Sequence, residues 1–164
     1  MKKKIIYFLV ALIVLIQFVR PKRNLSEEIA ANDITKHYTV SDSVLSIFKR
    51  SCNDCHSNNT IYPWYTNIQP VGWWMQHHVN DGKEELNFSE FGSYPPKKQA
   101  HKLKETAKEV KEEGMPIDSY LWVHKDAKLS DSEKLTIISW AVSLEKEIRN
   151  KFNLPDEPDR PRRD

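Results

Sequence analysis

SCNDCHSNNT, residues 51–60, contains both cysteines of the chain, Cys52 and Cys55, and His56 follows the second one directly. Cys-x-x-Cys-His is the attachment signature of a c-type haem, in which two thiols add to the porphyrin vinyl groups and the histidine binds the iron. Two intervening residues allow one turn of chain between the sulfurs, so both reach the same edge of the macrocycle. The pattern predicts one covalent haem c, tethered by Cys52 and Cys55, with His56 as the proximal iron ligand.

Two other interpretations of the cysteine pair remain open. A redox dithiol usually lies at the start of a helix after a strand, and no strand-rich pattern precedes this pair. A structural zinc site commonly takes four Cys or His ligands, and the chain has no third cysteine. Haem attachment is therefore favoured over a thiol redox pair and over a mixed Cys/His metal site.

Length and composition restrict the fold to one helical domain. The chain has 164 residues, a net charge of +2 and four glycines, which is too few for the many turns of a sandwich or barrel. A nearly neutral charge gives no reason to expect a nucleic-acid partner. Five tryptophans and six tyrosines are a heavy aromatic load, which suits packing against a flat apolar porphyrin.

The N-terminus predicts a membrane anchor over residues 1–23. Lys2, Lys3 and Lys4 precede an apolar run over residues 5–19, and no small-x-small cleavage site follows it, so an anchor is favoured over a cleaved signal peptide or a buried core helix. The run is shorter than the roughly 20 residues that span a bilayer comfortably. Haem attachment takes place outside the cytoplasm, so we expect a single-pass protein of the bacterial inner membrane with its globular domain in the periplasm.

The rest of the chain divides by composition into three parts. Residues 24–40 are predicted to be a linker, residues 41–152 the haem-binding domain, and residues 153–164 a disordered charged tail. Helices are expected from Ser41, over residues 68–80 with an end near Gly82, over residues 97–113, and over residues 130–149. The last helix has a capping box and a predicted buried stripe of Leu135, Ile138, Trp140, Ala141, Leu144 and Ile148.

The sixth iron ligand is predicted to be Met115. A methionine followed by proline, here Pro116, in an irregular segment can hold its thioether rigidly at the iron, although a lone methionine is also a common core residue. His124 is the second candidate because it lies in the same segment before the last helix. His77 and His78 are weaker candidates.

The chain resembles the haem-binding domain family of small membrane-anchored bacterial c-type cytochromes. The matching segments are QFVRP at 17–21, CNDCHSNNTIYPWY at 52–65, HVNDGKEELNFSEF at 78–91, and the region from Met115 to Glu133. The plan also resembles class I cytochrome c, with a helix, the motif, pocket loops, Met-Pro and a C-terminal helix. This resemblance implies an all-α, cytochrome c-like domain around one haem.

Two functions follow from the expected haem. Histidine and methionine together leave no open iron position, which suits single-electron transfer with membrane-associated or periplasmic redox partners. An open or labile sixth position would instead suit a peroxidase-like enzyme or a gas or redox sensor. No acid/base pair over an open iron is visible in the sequence, so an electron carrier is favoured over a catalyst.

Overall fold

The computed structural model describes residues 1–26 and 28–156, and all regular structure within these ranges is helical. This confirms the all-α prediction. Three 3-10 turns, at Trp64–Asn67, Phe88–Ser93 and Lys125–Ala127, connect the α-helices. The α-helices are α1 (Lys2–Ile16), α2 (Ile34–His37), α3 (Asp42–Ser51), α4 (Asn53–His56), α5 (Val71–Glu85), α6 (Pro96–Lys111), α7 (Asp118–Leu121) and α8 (Asp131–Phe152).

Side-chain caps start the helices at two of the predicted positions. The Ser41 hydroxyl accepts a hydrogen bond from the Val44 amide at the start of α3. At the start of α8, Ser130 and Glu133 form the reciprocal capping box. Helix α8 runs to Phe152, three residues beyond the predicted end. Helix α5 likewise continues past Gly82 to Glu85.

The core lies mainly between α6 and α8, with α3 packed against α8. The apolar residues of α6, Ala100, Leu103, Ala107 and Val110, are all buried. On α8 the buried residues are Ile137, Ala141, Leu144 and Ile148. The prediction for Leu135 was wrong, since its side chain is 64% exposed. Two residues correspond to about 200° around a helix, so burial of Ile137 places Leu135 on the opposite side.

Part of the predicted linker is packed against the domain. Asp33 caps α2, and Ile34 is buried in the core cluster, where Tyr38 also packs. The Tyr38 hydroxyl donates a hydrogen bond to Gln99 on α6. The polar composition of residues 24–40 concealed this contact, because one buried isoleucine produces no periodic signal.

Helix α1 has no buried side chain. Within the ranges described, none of the helices combines the length and the apolar character needed to cross a membrane. At the other end of the chain, Leu154 packs against the core cluster. Most of the predicted disordered tail, residues 157–164, lies outside the described residues.

Candidate haem site

The cysteine motif lies where α3 meets α4. Cys52 is both the C-cap of α3 and the N-cap of α4, and α4 contains Cys55 and His56. Both cysteines are partly buried free thiols. The structure therefore brings both sulfurs and the imidazole together within one helical turn.

The His56 ring is held by a backbone carbonyl. Its Nδ1 lies 2.8 Å from the Leu86 oxygen. A carbonyl only accepts hydrogen bonds, so Nδ1 carries the proton and donates, and Nε2 is the unprotonated nitrogen that can bind a metal. Burial lowers the pKa of His56, opposed by the carbonyls of Leu86 and Gly82, which favours the neutral ring that a metal requires. The donor set of two free thiols and one oriented imidazole fits a covalently attached haem.

Gly82 allows α5 to pack directly on the motif. A Cβ atom at this position would lie 2.8 Å from the Cβ of Cys55 and 2.8 Å from its carbonyl oxygen. One of these contacts is to backbone, which cannot rotate away. Glycine inside a helix normally destabilises it relative to alanine, so the close approach to Cys55 accounts for glycine here.

We expect Gly82→Ala to destabilise the protein by about 1–3 kcal/mol, because the added methyl forces α5 away from Cys55. Helix propensity alone predicts the opposite sign, a gain of about 1 kcal/mol. Urea unfolding followed by circular dichroism measures the difference. Glu84→Ala, at an exposed position of α5, is the matched control and should change stability little. A stabilised Gly82→Ala protein would contradict the packing described.

The environment of the thiols is unlike that of a redox dithiol. Burial, with a smaller contribution from Cys55, raises the pKa of Cys52 to about 12. Burial, with a smaller contribution from Asp54, raises the pKa of Cys55 to about 11. Catalytic thiols instead have lowered pKa values, because the thiolate is the nucleophile. In the described part of the chain, no group of three or more His, Cys, Asp or Glu residues could hold a metal ion.

Chain produced without haem attachment should therefore react slowly with iodoacetamide. At pH 8 the raised pKa values leave few thiolates, and we expect alkylation of Cys52 and Cys55 to be on the order of 100-fold slower than that of a free cysteine. The rate should increase as the pH rises toward the thiol pKa values. Mass spectrometry of timed samples measures it, with urea-unfolded chain as the control. Rapid alkylation of the folded chain at pH 7 would instead favour the redox dithiol.

Asp54, between the two cysteines, connects the motif to two other segments. Its Oδ1 accepts a hydrogen bond from the Ile61 amide at 2.9 Å, and its Oδ2 accepts one from the Tyr120 hydroxyl at 2.8 Å. Burial and the Asp54 carboxylate raise the pKa of Tyr120, so its hydroxyl stays protonated and can donate. Asp54 thus fixes α7 and the loop after the motif around the candidate site.

Asn24 provides a second connection that was not predicted. Its side-chain amide donates to the Ser57 carbonyl at 2.8 Å and to the Thr60 hydroxyl at 2.9 Å. Its backbone amide donates to the Tyr62 hydroxyl at 2.8 Å. The chain preceding the domain therefore holds the loop that follows His56.

Met115 lies between α6 and α7 and is 38% exposed. With Pro116, Trp122 and Leu129 it lines a cavity of about 640 Å³. None of the three motif residues lines this cavity. Helix α7 connects the cavity with the cysteine motif. Its Leu121 lines the cavity, and its Tyr120 hydroxyl donates a hydrogen bond to Asp54 in the motif.

His124 has hydrogen-bond partners for both ring nitrogens. Its Nδ1 lies 3.2 Å from the Tyr120 carbonyl and its Nε2 lies 3.2 Å from the Tyr65 hydroxyl. Because the carbonyl requires a proton on Nδ1, Nε2 accepts from Tyr65, and its lone pair is engaged in this arrangement.

The two weaker histidine candidates lie on α5. His77 pairs with Asp81 across one turn of α5. The Nε2 atom of His78 is buried without a hydrogen-bond partner.

Two free thiols and a carbonyl-oriented imidazole on one turn of an all-helical domain define a helical haem-binding protein. The chain belongs to the haem-binding domain family, which it matches over residues 11–143. No curated protein and no solved structure matches the chain.

Proposed function

We propose that this protein is a c-type cytochrome that carries single electrons. Cys52 and Cys55 would form thioethers with one haem, His56 would be the proximal iron ligand, and Met115 would be the sixth ligand. The observation that carries the proposal is the 2.8 Å contact between His56 Nδ1 and the Leu86 oxygen. This contact orients the ring and strengthens Nε2 as a donor, in the manner of metal-ligating histidines generally.

A haem held by Cys52, Cys55, His56 and Met115 would supply reversible one-electron redox chemistry. Hydrogen bonds within the protein would keep the two proposed iron ligands in place in either oxidation state. The Leu86 carbonyl holds His56, and Asp54 holds α7 through Tyr120. Because α7 begins shortly after Met115, this hydrogen bond restrains the segment that carries the thioether.

We further propose that residues 1–23 attach the protein to the bacterial inner membrane, with the domain in the periplasm. In support, the side chains of α1 from Ile5 to Leu15 are exposed and mostly apolar, and the apolar run continues beyond the helix to Val19. Lysines precede the run and basic residues follow it. Redox partners would then be proteins of the membrane or of the periplasm.

Spectroelectrochemical titration of the purified protein tests the function. We expect the haem absorption bands to follow a reversible single-electron curve in both directions, because the ligand set does not change with oxidation state. The reduced protein should not bind carbon monoxide. Carbon monoxide binding together with peroxide turnover would instead favour the enzyme or sensor.

A further inference from the structure

The segment after α1 is hydrogen-bonded to residues at the start of α5. The Gln17 side chain donates to the Gln69 carbonyl at 3.1 Å and accepts from the Gln69 amide at 2.9 Å. The Trp73 indole donates to the Val19 carbonyl at 2.7 Å. The apolar N-terminal segment therefore joins the domain at a fixed place, without a free linker between them.

The surface around this junction is apolar and exposed. Ile68 adjoins Gln69, and Val71 and Trp74 lie three residues apart on one face of α5. Trp64 starts the 3-10 turn that packs against α5. We name the following residues the docking face: Phe18 (81% exposed), Val19 (63%), Trp64 (75%), Ile68 (48%), Val71 (39%) and Trp74 (42%).

Basic side chains border the docking face. Arg20, Lys22 and Arg23 follow Val19 directly and are exposed. Arg23 also hydrogen bonds to Asn67 at 2.5 Å and lies over the Tyr62 ring, 4.9 Å from its centroid. Through these contacts Arg23 lies beside the segment that carries Trp64 and Ile68.

This combination is typical of a surface that rests on a bilayer. Tryptophan prefers the membrane–water interface, aliphatic side chains enter the acyl boundary, and arginine and lysine bind lipid phosphates. An exposed apolar surface bordered by basic groups indicates an interaction site. The docking face also continues into the apolar surface of α1, whose side chains are exposed.

We propose that the docking face binds directly to an anionic phospholipid bilayer, so that the domain lies on the membrane in one orientation. This inference rests on the membrane association proposed above. It adds that the globular domain itself supplies a lipid contact, through Trp64, Ile68, Val71 and Trp74. The motif-bearing α4, which packs on α5 around Gly82, is thereby held at a fixed height above the lipid.

The test uses the full-length, haem-loaded protein on vesicles of phosphatidylglycerol and phosphatidylethanolamine. Hydroxyl-radical footprinting with mass spectrometry measures the oxidation of Trp74 (42% exposed) relative to Phe152 (43% exposed) at the end of α8. Comparing this ratio between variants cancels the different intrinsic reactivities of the two residues.

The variant Trp64→Glu with Ile68→Glu should remain with the vesicles on flotation, but the relative oxidation of Trp74 should rise about fivefold or more, because two carboxylates cannot enter the interface. Leu135→Glu, at an exposed apolar position of α8, is the matched control and should leave the ratio unchanged.

Three results would overturn the proposal: an unchanged Trp74 ratio in the double variant, wild-type protein that does not float with the vesicles, and protection that follows protein concentration rather than lipid. The last would indicate a second copy of the chain as the occupant. Wild-type protein that does not float would contradict the membrane association itself, whereas flotation with an unchanged Trp74 ratio would contradict docking alone.

Discussion

Replacing both Cys52 and Cys55 by alanine should abolish covalent haem attachment. Both sulfurs lie on one turn at the junction of α3 and α4, and the described chain contains no other cysteine that could substitute for them. Wild-type protein, matured in a host that attaches haem c, should retain its haem through acid-acetone extraction. The double variant should lose all of it.

Single variants distinguish attachment from simple misfolding. Cys52→Ala and Cys55→Ala each remove one thioether, and we expect each to shift the reduced pyridine adduct toward the spectrum of a haem with one unreacted vinyl group. Ser51→Ala, at the buried position before the motif, is a control that keeps both thiols. If wild-type protein also releases its haem on extraction, the attachment is not covalent.

Met115→Ala should open the sixth iron position. A thioether favours ferrous over ferric iron, so its loss should lower the midpoint potential by on the order of 100 mV, well within the roughly 0.8 V range over which axial ligands tune haem. The oxidised variant should lose the near-infrared sulfur-to-iron band. The reduced variant should bind carbon monoxide.

His124→Ala is the matched control, because it removes a side chain of the same segment whose nitrogens already contact Tyr120 and Tyr65. It should leave the near-infrared band and the potential nearly unchanged. If Met115→Ala leaves the spectrum intact while His124→Ala or His78→Ala converts it to a high-spin form, the ligation is bis-histidine. Met115 would then serve only to line its cavity.

The features that sequence predicts well here are local ones. Helix caps depend on residues three positions apart, so the capping box of Ser130 and Glu133 is readable directly from the sequence. The spacing of the cysteines likewise predicts their place on one helical turn. The face of a helix that is buried is harder to predict. Leu135 and Ile137 are both apolar, and only the packing of α8 against α6 decides which of the two is buried.

Contacts between distant segments could not be predicted. Asp54 and Tyr120 are 66 residues apart, Gln17 and Gln69 are 52 apart, and Asn24 and Thr60 are 36 apart. Hydrogen bonds over such separations follow from the tertiary fold and produce no periodicity in the chain. The sixth iron ligand is hard to predict for the same reason, because it depends on which segment of the fold lies opposite His56.

The burial of the two thiols has a consequence for biogenesis. Folding as described raises the pKa values of Cys52 and Cys55 to about 12 and 11, and packs Gly82 against Cys55. An enzyme that attaches haem as proposed above would need reactive thiolates, and the raised pKa values leave few of them in the folded chain. If haem is attached as proposed, folding would therefore compete with attachment, and chain that folds first would be a poor substrate for the attaching enzyme.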